Sequence, residues 1–283
     1  MELFLTRLWG HFPQPTVPFI GRDLADEHGL RYLALVLAYQ GGAWAGWQLQ
    51  KEAPSIQGEL EKVLSKLCGH EVRVAASGRT DAGVHAFGQV ASFATHSRLP
   101  LNEMLPALIS MLPDSIFPLT LGAVNKDFHA RFHALAKTYD YYLAPHISCG
   151  AFLTPFLWPI DKALEEKPVK TALMMCVGRR DMRALSSGAP EKGGSTVRNI
   201  LEARLDVKPG LWRIRLTAQG FLRHAVRNLV GILVNIGQGR LTPGQLLEML
   251  RAGEKLYSAP KAPPNGLYLQ KVYYHPWTGP AAD

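Results

Sequence analysis

A short apolar run near the start of the sequence limits the fold more than any other feature. Arg31–Tyr39 reads RYLALVLAY and is followed at once by Gln40, Gly41 and Gly42. A run of this length suits a buried strand and is too short to cross a membrane. Residues 212–217 instead alternate apolar and polar side chains, as a half-buried strand does. The chain is therefore expected to build a β-sheet with a buried face.

Helical patterns lie between the strand patterns. Ser55 is placed to cap a helix that Gly69 would end, and Leu101–Met111 and residues 221–236 predict two more. Thr242, with a glutamine three positions later, forms a capping box for another helix. Further strands are predicted at residues 71–75, 84–93, 138–143 and 267–274.

The order of these patterns favours one fold class and disfavours one kind of enzyme. Strands and helices alternate without the long crossovers of a doubly wound sheet, so an α+β protein of two similar-sized parts is expected. No GxGxxG follows a strand, and no GxxxxGK[ST] occurs. A nucleotide-dependent enzyme is therefore disfavoured.

The composition is that of a folded, basic protein. Of its 283 residues, 47% are hydrophobic and 19% are charged, and the net charge is +8. Such a charge suggests a polyanionic partner. It bears on how the protein encounters that partner and not on the fold. Cys68, Cys149 and Cys176 lie far apart and outside any CxxC pattern, so buried free thiols are expected and neither a disulfide framework nor a zinc site is indicated.

The N-terminal residues do not have the pattern of a signal peptide. Residues 1–19 lack a basic start, carry Arg7 in their middle and break at three prolines. Together with the shortness of every apolar run, this predicts a cytoplasmic protein with no membrane partner.

The turn at residues 77–83 carries the most informative chemistry. Gly78 and Gly83 enclose a charged pair, Arg79 and Asp81. With a strand predicted on each side, the turn holds one carboxylate at a sheet edge and lets another backbone approach closely. Spacing alone also allows a plain tight turn, in which Asp81 only accepts hydrogen bonds from nearby N–H groups.

A longer comparison of motifs points to a family. Residues 77–93, SGRTDAGVHAFGQVASF, closely resemble the signature of the TruA family of pseudouridine synthases. Three further segments resemble that family in the same order: DFHARFHALAKTYDYY from residue 127, GFLRHAVRNLVGILVNIGQG from residue 220 and GLYLQKVYY from residue 266. The resemblance covers residues 31–274.

The resemblance implies a fold, a reaction and partners. The fold is α+β, with two similar domains at residues 30–125 and 126–275, an N-terminal extension at 1–29 and a tail at 276–283. Each domain has a mixed, mainly antiparallel sheet with helices on one face, and the active-site cleft lies between the domains. The reaction is isomerisation of uridine to pseudouridine at positions 38, 39 and 40 of the tRNA anticodon stem-loop. It implies no cofactor, no metal, and a homodimer in which one tRNA contacts both subunits.

The same resemblance assigns the catalytic residues. Asp81 matches the essential carboxylate, and Arg227 matches the arginine that pairs with it. Tyr139 matches the active-site tyrosine, whose aromatic face stacks on the base. A flipped base strips water from the carboxylate and raises its pKa, whereas a nearby guanidinium lowers that pKa by about one to three units. Whether Asp81 attacks the uracil ring or acts at the ribose stays open.

Substrate-binding residues are assigned partly by resemblance and partly by residue type. Arg79 resembles the arginine that holds the flipped-out state, and Tyr139 contributes its stacking face. Arg223 and His224 have the residue types that bind phosphate. The residues alone leave ordinary alternatives open: a solvated helix arginine for Arg227, a core tyrosine for Tyr139 and a surface salt bridge for Arg79.

Other basic residues and some departures from the family complete the sequence-based interpretation. The RNA path is predicted to include Arg131, Lys137, Arg179, Arg180, Arg183 and Arg198. Gln40 stands where the family usually has aspartate, and residues 180–185 lack the aromatic side chains that the family often carries there. A second hypothesis is a basic RNA-binding protein or chaperone without catalysis, which would also bind tRNA in a salt-sensitive way.

Overall fold

The structure is a computed structural model that describes residues 16–21, 23, 25–188 and 194–279. Within these residues the chain forms two compact units. The first unit contains the described residues of Gly10–Leu135 together with Leu269–Trp277, and the second contains Ala136–Tyr268. Most of the predicted N-terminal extension and the end of the predicted tail lie outside the described residues. The domain boundaries given above stay a prediction.

The first unit contains a sheet in the order β4 (Ile116–Ala123), β1 (Arg31–Tyr39), β3 (His85–Thr95), β10 (Leu267–Tyr273). Strand β1 pairs antiparallel with β4 and with β3, and β2 (Ala75–Ala76) pairs antiparallel with β3. Strand β1 is buried along nearly its whole length, which explains why its apolar run is continuous rather than alternating. From Leu269 onwards, β10 belongs to this unit.

Two helices complete the first unit, α1 (Ile56–Cys68) and α2 (Leu101–Met111). The predicted ends of α1 are confirmed: the hydroxyl of Ser55 accepts the N–H of Gly58, and Gly69 ends the helix with φ 74°.

The strand predicted at residues 71–75 is wrong for all but its last residue. The N–H of Val72 donates to the hydroxyl of Ser65 at 2.9 Å, and the N–H of Val74 donates to the carboxylate of Glu61 at 3.0 Å. These backbone groups bind side chains of α1, so the segment follows the helix until β2 begins.

The second unit contains an antiparallel sheet in the order β5-β9-β8-β7, with β6 parallel to β5. Helix α4 (Glu166–Cys176) packs on β8 (Val197–Lys208) and on two other helices, α5 (Ala225–Gly237) and α6 (Pro243–Ala252). The strands are β5 (Ala136–Pro145), β6 (Trp158–Ile160), β7 (Gly178–Asp181), β8 (Val197–Lys208) and β9 (Leu211–Ala218), and the helices are α3 (His146–Leu153), α4 (Glu166–Cys176), α5 (Ala225–Gly237) and α6 (Pro243–Ala252).

The helix predicted from residue 221 begins four residues later, at Ala225. His224 has φ 63°, in the left-handed region, so the helix cannot continue back through it. The capping box at Thr242 is confirmed: its hydroxyl accepts the N–H of Gln245, and the Gln245 side chain accepts the N–H of Thr242. The predicted α+β class is confirmed. No helix in the described part of the chain is long and apolar enough to span a membrane.

Candidate active site

Asp81 lies in the turn that joins β2 to β3 in the first unit. The N–H of Ser77 donates to the carbonyl of Val90 at 2.7 Å, which ties the start of the turn to β3. The N–H of Val84 donates to the carbonyl of Asp81 at 3.1 Å and closes the turn. Asp81 itself is half-buried, and Arg79 is exposed. The turn therefore holds a half-buried carboxylate just before β3, a strand that lies between β1 and β10 and not at an edge of the sheet as the sequence predicted.

A second loop approaches this turn backbone to backbone. The N–H of Trp47 donates to the carbonyl of Thr80 at 3.0 Å, and the N–H of Gly83 donates to the carbonyl of Trp44 at 3.4 Å. Gly46 has φ +96°, and a Cβ added there would lie 2.7 Å from the carbonyl oxygen of Thr80. The close approach expected at this turn therefore depends on a glycine in the neighbouring loop.

Buried side chains hold the turn in place through hydrogen bonds. The hydroxyls of Tyr39 and Thr80 are 2.8 Å apart. The Gln89 amide nitrogen donates to the carbonyl of Gly78 at 2.8 Å, and its oxygen accepts the hydroxyl of Ser77 at 2.7 Å. Burial raises the pKa of Tyr39 to about 12, against smaller opposing effects of its hydrogen bonds to Thr80 and Gln89, so the phenol is neutral at physiological pH.

Sequence reasoning missed this bracing network, although one signal was present. Gln89 stands in the middle of an otherwise largely apolar strand, β3, and it is fully buried. Because a buried polar side chain needs hydrogen-bond partners, its position pointed to a network beneath the turn.

Tyr139 lies on β5 of the second unit, opposite Leu216 on β9. Only 9% of it is exposed, and its ring stands nearly perpendicular to that of Phe221, with centroids 5.3 Å apart. The edge-to-face contact fixes the plane of the Tyr139 ring. Tyr141 and Tyr142 are buried in the core of this unit.

Arg227 lies in the first turn of α5 and is only 8% exposed, which rules out a solvated helix arginine. Its Nε donates to the carbonyl of Ala262 at 2.8 Å, and the N–H of Ala262 donates back to the carbonyl of Arg227 at 3.1 Å. A guanidinium is planar with five N–H donors, so this bond at Nε sets the direction of the terminal nitrogens.

Gly231 allows the segment that holds Arg227 to reach α5. A Cβ added to Gly231 would lie 1.9 Å from the carbonyl oxygen of Pro260. Any side chain there would push residues 260–262 away from the helix. The hydrogen bond between Arg227 and Ala262 therefore depends on a glycine one turn further along α5.

Arg223 and His224 lie just before α5, at its N-terminal end. Arg223 is exposed and His224 is half-buried, and the carbonyl of His224 accepts the N–H of Asn228 at 2.9 Å. A helix N-terminus with a basic side chain beside it is suited to binding phosphate.

The basic residues predicted to line the RNA path differ in exposure. Arg131, Arg179 and Arg183 are exposed, whereas Lys137, Arg180 and Arg198 are half-buried. The Nε of Arg180 donates to the carbonyl of Met175 at 2.8 Å, and Arg183 contacts Asp181 at 3.4 Å. Arg180 and Arg183 therefore bind groups of the second unit itself.

An exposed aromatic residue next to Arg131 was also missed. Phe132 is 72% exposed and its ring centroid lies 4.3 Å from that of His129. The Nδ1 of His129 accepts the N–H of Arg131 at 3.0 Å and that of Phe132 at 3.4 Å, which fixes the short loop. Exposure of this phenylalanine could not be inferred from the sequence alone.

The described residues contain no group of three or more His, Cys, Asp or Glu side chains arranged to hold a metal ion. The carboxylate turn lies in the first unit, and the aromatic ring of Tyr139 and the buried guanidinium of Arg227 lie in the second.

Comparison with known proteins assigns the family. A family model described as tRNA pseudouridine synthase matches residues 36–133 and 172–275, which include Asp81 and Arg227 and leave Tyr139 between the matched ranges. "tRNA pseudouridine synthase A" of Solibacter usitatus (strain Ellin6076) is 37% identical over 247 residues, 87% of this chain and 100% of the relative. The protein of the same name from Moorella thermoacetica (strain ATCC 39073 / JCM 9320) is 38% identical over 245 residues, 86% of this chain and 99% of the relative. That from Nitrosomonas eutropha (strain DSM 101675 / C91 / Nm57) is 36% identical over 243 residues, 86% of this chain and 87% of the relative. The chain belongs to the tRNA pseudouridine synthase family and is an isomerase that acts on tRNA.

Proposed function

We propose that the chain converts uridine to pseudouridine at positions 38, 39 and 40 of the tRNA anticodon stem-loop, with Asp81 as the catalytic carboxylate. The observation that carries the proposal is the Asp81 turn: a half-buried carboxylate between β2 and β3, with its backbone held by hydrogen bonds on both sides. A catalytic group must be held close to its productive geometry, and a turn whose backbone is held by hydrogen bonds supports such a role.

The reaction needs a carboxylate and no redox or energy-supplying step. The N1–C1′ glycosidic bond breaks, the uracil ring turns, a C5–C1′ bond forms, C5 loses its proton and N1 gains one. Atoms and electrons balance within the nucleotide and water. Asp81 assists either by attacking the ring or by acting at C1′ of the ribose, and both routes require it to be ionised.

Arg227 is proposed to keep that carboxylate ionised in the substrate complex. A base in the pocket excludes water and favours the neutral acid, whereas a guanidinium beside the carboxylate favours the charged form. Burial of Arg227 and its bond to Ala262 support this role, because a guanidinium whose direction is set can present its terminal nitrogens to a carboxylate.

The remaining substrate-binding residues are proposed to hold the RNA around the flipped uridine. Extrusion of a stacked base costs a few kcal/mol, and one aromatic face returns about 1–3 kcal/mol. Tyr139 is proposed to supply this face, Arg79 to hold the flipped-out state, and Arg223 and His224 to bind phosphate. Phe132 is added as a second stacking side chain, because it is exposed on a fixed loop beside Arg131.

The assembly is proposed to be a homodimer in the cytoplasm, with the active-site cleft between the two domains of each subunit and one tRNA contacting both subunits. Sedimentation equilibrium tests the assembly. The dimer predicts a species of twice the chain mass of 31.2 kDa; a single-chain mass at micromolar concentration contradicts it.

Site mapping tests the substrate assignment. Unmodified tRNA transcripts with uridine at 38, 39 or 40 are incubated with the protein, and pseudouridine is located by chemical labelling and primer extension. Modification is expected at those positions and not in transcripts that carry cytidine there. Modification confined to another part of the tRNA would overturn the assignment while leaving the family intact.

A further inference from the structure

The hydrogen bonds beneath the Asp81 turn reach almost every residue that precedes the carboxylate. Gln89 holds the hydroxyl of Ser77 and the carbonyl of Gly78, and the N–H of Trp47 holds the carbonyl of Thr80. The side chain of Thr80 contacts the hydroxyl of Tyr39 at 2.8 Å. Thr80 is thus the braced residue directly before Asp81.

Tyr39 is a rigid support for that contact. It is the last residue of β1, paired with Ala86 on one side and Ile116 on the other, and it is 4% exposed. Its ring also lies 6.1 Å from that of Trp47, the residue that binds the Thr80 backbone. The phenol therefore has little freedom to move, and neither does the hydroxyl that it meets.

We infer that Tyr39 is a positioning residue for Asp81, acting through the hydroxyl of Thr80. The inference rests on the proposed role of Asp81. Tyr39 does not touch the reacting atoms in this account. It fixes the Thr80 side chain and with it the start of the peptide that carries the carboxylate. A displacement of about 1 Å at a reacting group can cost on the order of a hundredfold in rate, so loss of the bridge should slow the chemical step.

A double-mutant cycle tests the bridge. The variants are Tyr39→Phe, Thr80→Val and the double variant, with Thr80→Ser as the conservative change that keeps the hydroxyl. Single-turnover rates of C5 tritium release are measured at saturating tRNA, tRNA dissociation constants by filter binding, and thermal unfolding for each protein. Rates are compared at a temperature at which every variant is folded.

Each single variant is expected to lose about tenfold in the single-turnover rate, with the tRNA dissociation constant within about twofold of wild type. The rate of the double variant is expected to lie within about twofold of the rate of the slower single variant, because both changes remove the same interaction. Thr80→Ser should stay within about threefold of wild type. A purely structural role would lower the unfolding temperature without this pattern of rates.

Tyr32→Phe is the matched control, because Tyr32 lies on the same strand and its hydroxyl binds Asp26, away from the turn. Its rate should equal that of wild type. Three outcomes would overturn the inference: wild-type rates in both single variants, rate losses that multiply in the double variant, or losses explained by weaker tRNA binding. Asp81→Asn separates the two proposals: if it is inactive while Tyr39→Phe is unaffected, only the positioning role fails.

Discussion

Gly41 lies so close to Val84 that no side chain fits between them: a Cβ on Gly41 would be 2.0 Å from the carbonyl oxygen of Val84. The N–H of Gly41 also donates to Nδ1 of His85 at 3.1 Å. Val84 follows the turn that carries Asp81. This approach therefore sets where the loop after β1 lies against the Asp81 turn.

Gly41→Ala is expected to displace that loop and reduce turnover by at least about tenfold, because two backbones must separate. Gly42→Ala is the matched control, since a Cβ at the next residue meets no atom within 4 Å. Turnover and thermal unfolding are measured for both. Equal turnover of Gly41→Ala and Gly42→Ala would show that the close approach of Gly41 to Val84 does not affect catalysis.

Arg227→Ala should lower turnover by about a hundredfold or more, because the carboxylate of Asp81 would lose the guanidinium that is proposed to stabilise its charge. Arg227→Lys keeps a charge but cannot reproduce the planar fork, so an intermediate loss is expected. Arg240→Ala, a change at an exposed arginine, serves as the control and should leave turnover nearly unchanged. A folded Arg227→Ala protein with near-normal turnover would remove Arg227 from the mechanism.

Tyr139→Phe should bind tRNA normally and keep most of its turnover, because the stacking face remains and only the hydroxyl is lost. Tyr139→Ala should lose turnover and weaken binding by about 1–3 kcal/mol, the contribution of one stacked base. Filter binding and single-turnover rates distinguish the two variants. If Tyr139→Phe binds tRNA normally yet is inactive, the hydroxyl takes part in the chemistry and stacking alone is insufficient.

Asp140→Asn should destabilise the protein by about 3–5 kcal/mol, because it leaves the Arg215 guanidinium in a largely buried position without its counter-charge. Asp140 is fully buried, and its two oxygens accept the Nε and Nη2 of Arg215 at 2.7 Å each. Urea unfolding measures the loss.

The exposed pair of Lys170 and Glu166 is the control for that measurement, and Lys170→Ala should cost less than about 0.5 kcal/mol. A loss below about 1 kcal/mol for Asp140→Asn would mean that the sheet around Arg215 relaxes or admits water.

The sequence was most informative where local signals act alone. The unbroken apolar run of β1, the Ser55 cap and the Thr242 capping box were predicted from neighbouring residues and are confirmed. Strand β8 (Val197–Lys208) was not predicted, because its polar residues have partners elsewhere in the sheet. The carboxylate of Asp206 on β8, for example, accepts hydrogen bonds from the guanidinium of Arg213 on β9. Periodicity cannot distinguish a paired buried charge from a solvated one.

The candidate site shows the same limit. Asp81, Tyr139 and Arg227 were assigned through family resemblance, since an aspartate in a glycine-rich turn is common. The contact between Tyr39 and Thr80 joins residues 41 positions apart, and no local pattern marks it. Nothing in the sequence distinguishes Gly46 and Gly231 from other glycines, because their role depends on the backbone segments that approach them.

The most direct test of the central claim compares wild type with Asp81→Asn for release of tritium from C5-labelled uridine in unmodified tRNA. The substitution keeps the size of the side chain and removes its charge. Wild type is expected to release tritium, and a folded variant with normal tRNA affinity is expected to release none. Tritium release by Asp81→Asn at a rate near that of wild type would contradict the assignment of Asp81 as the catalytic carboxylate.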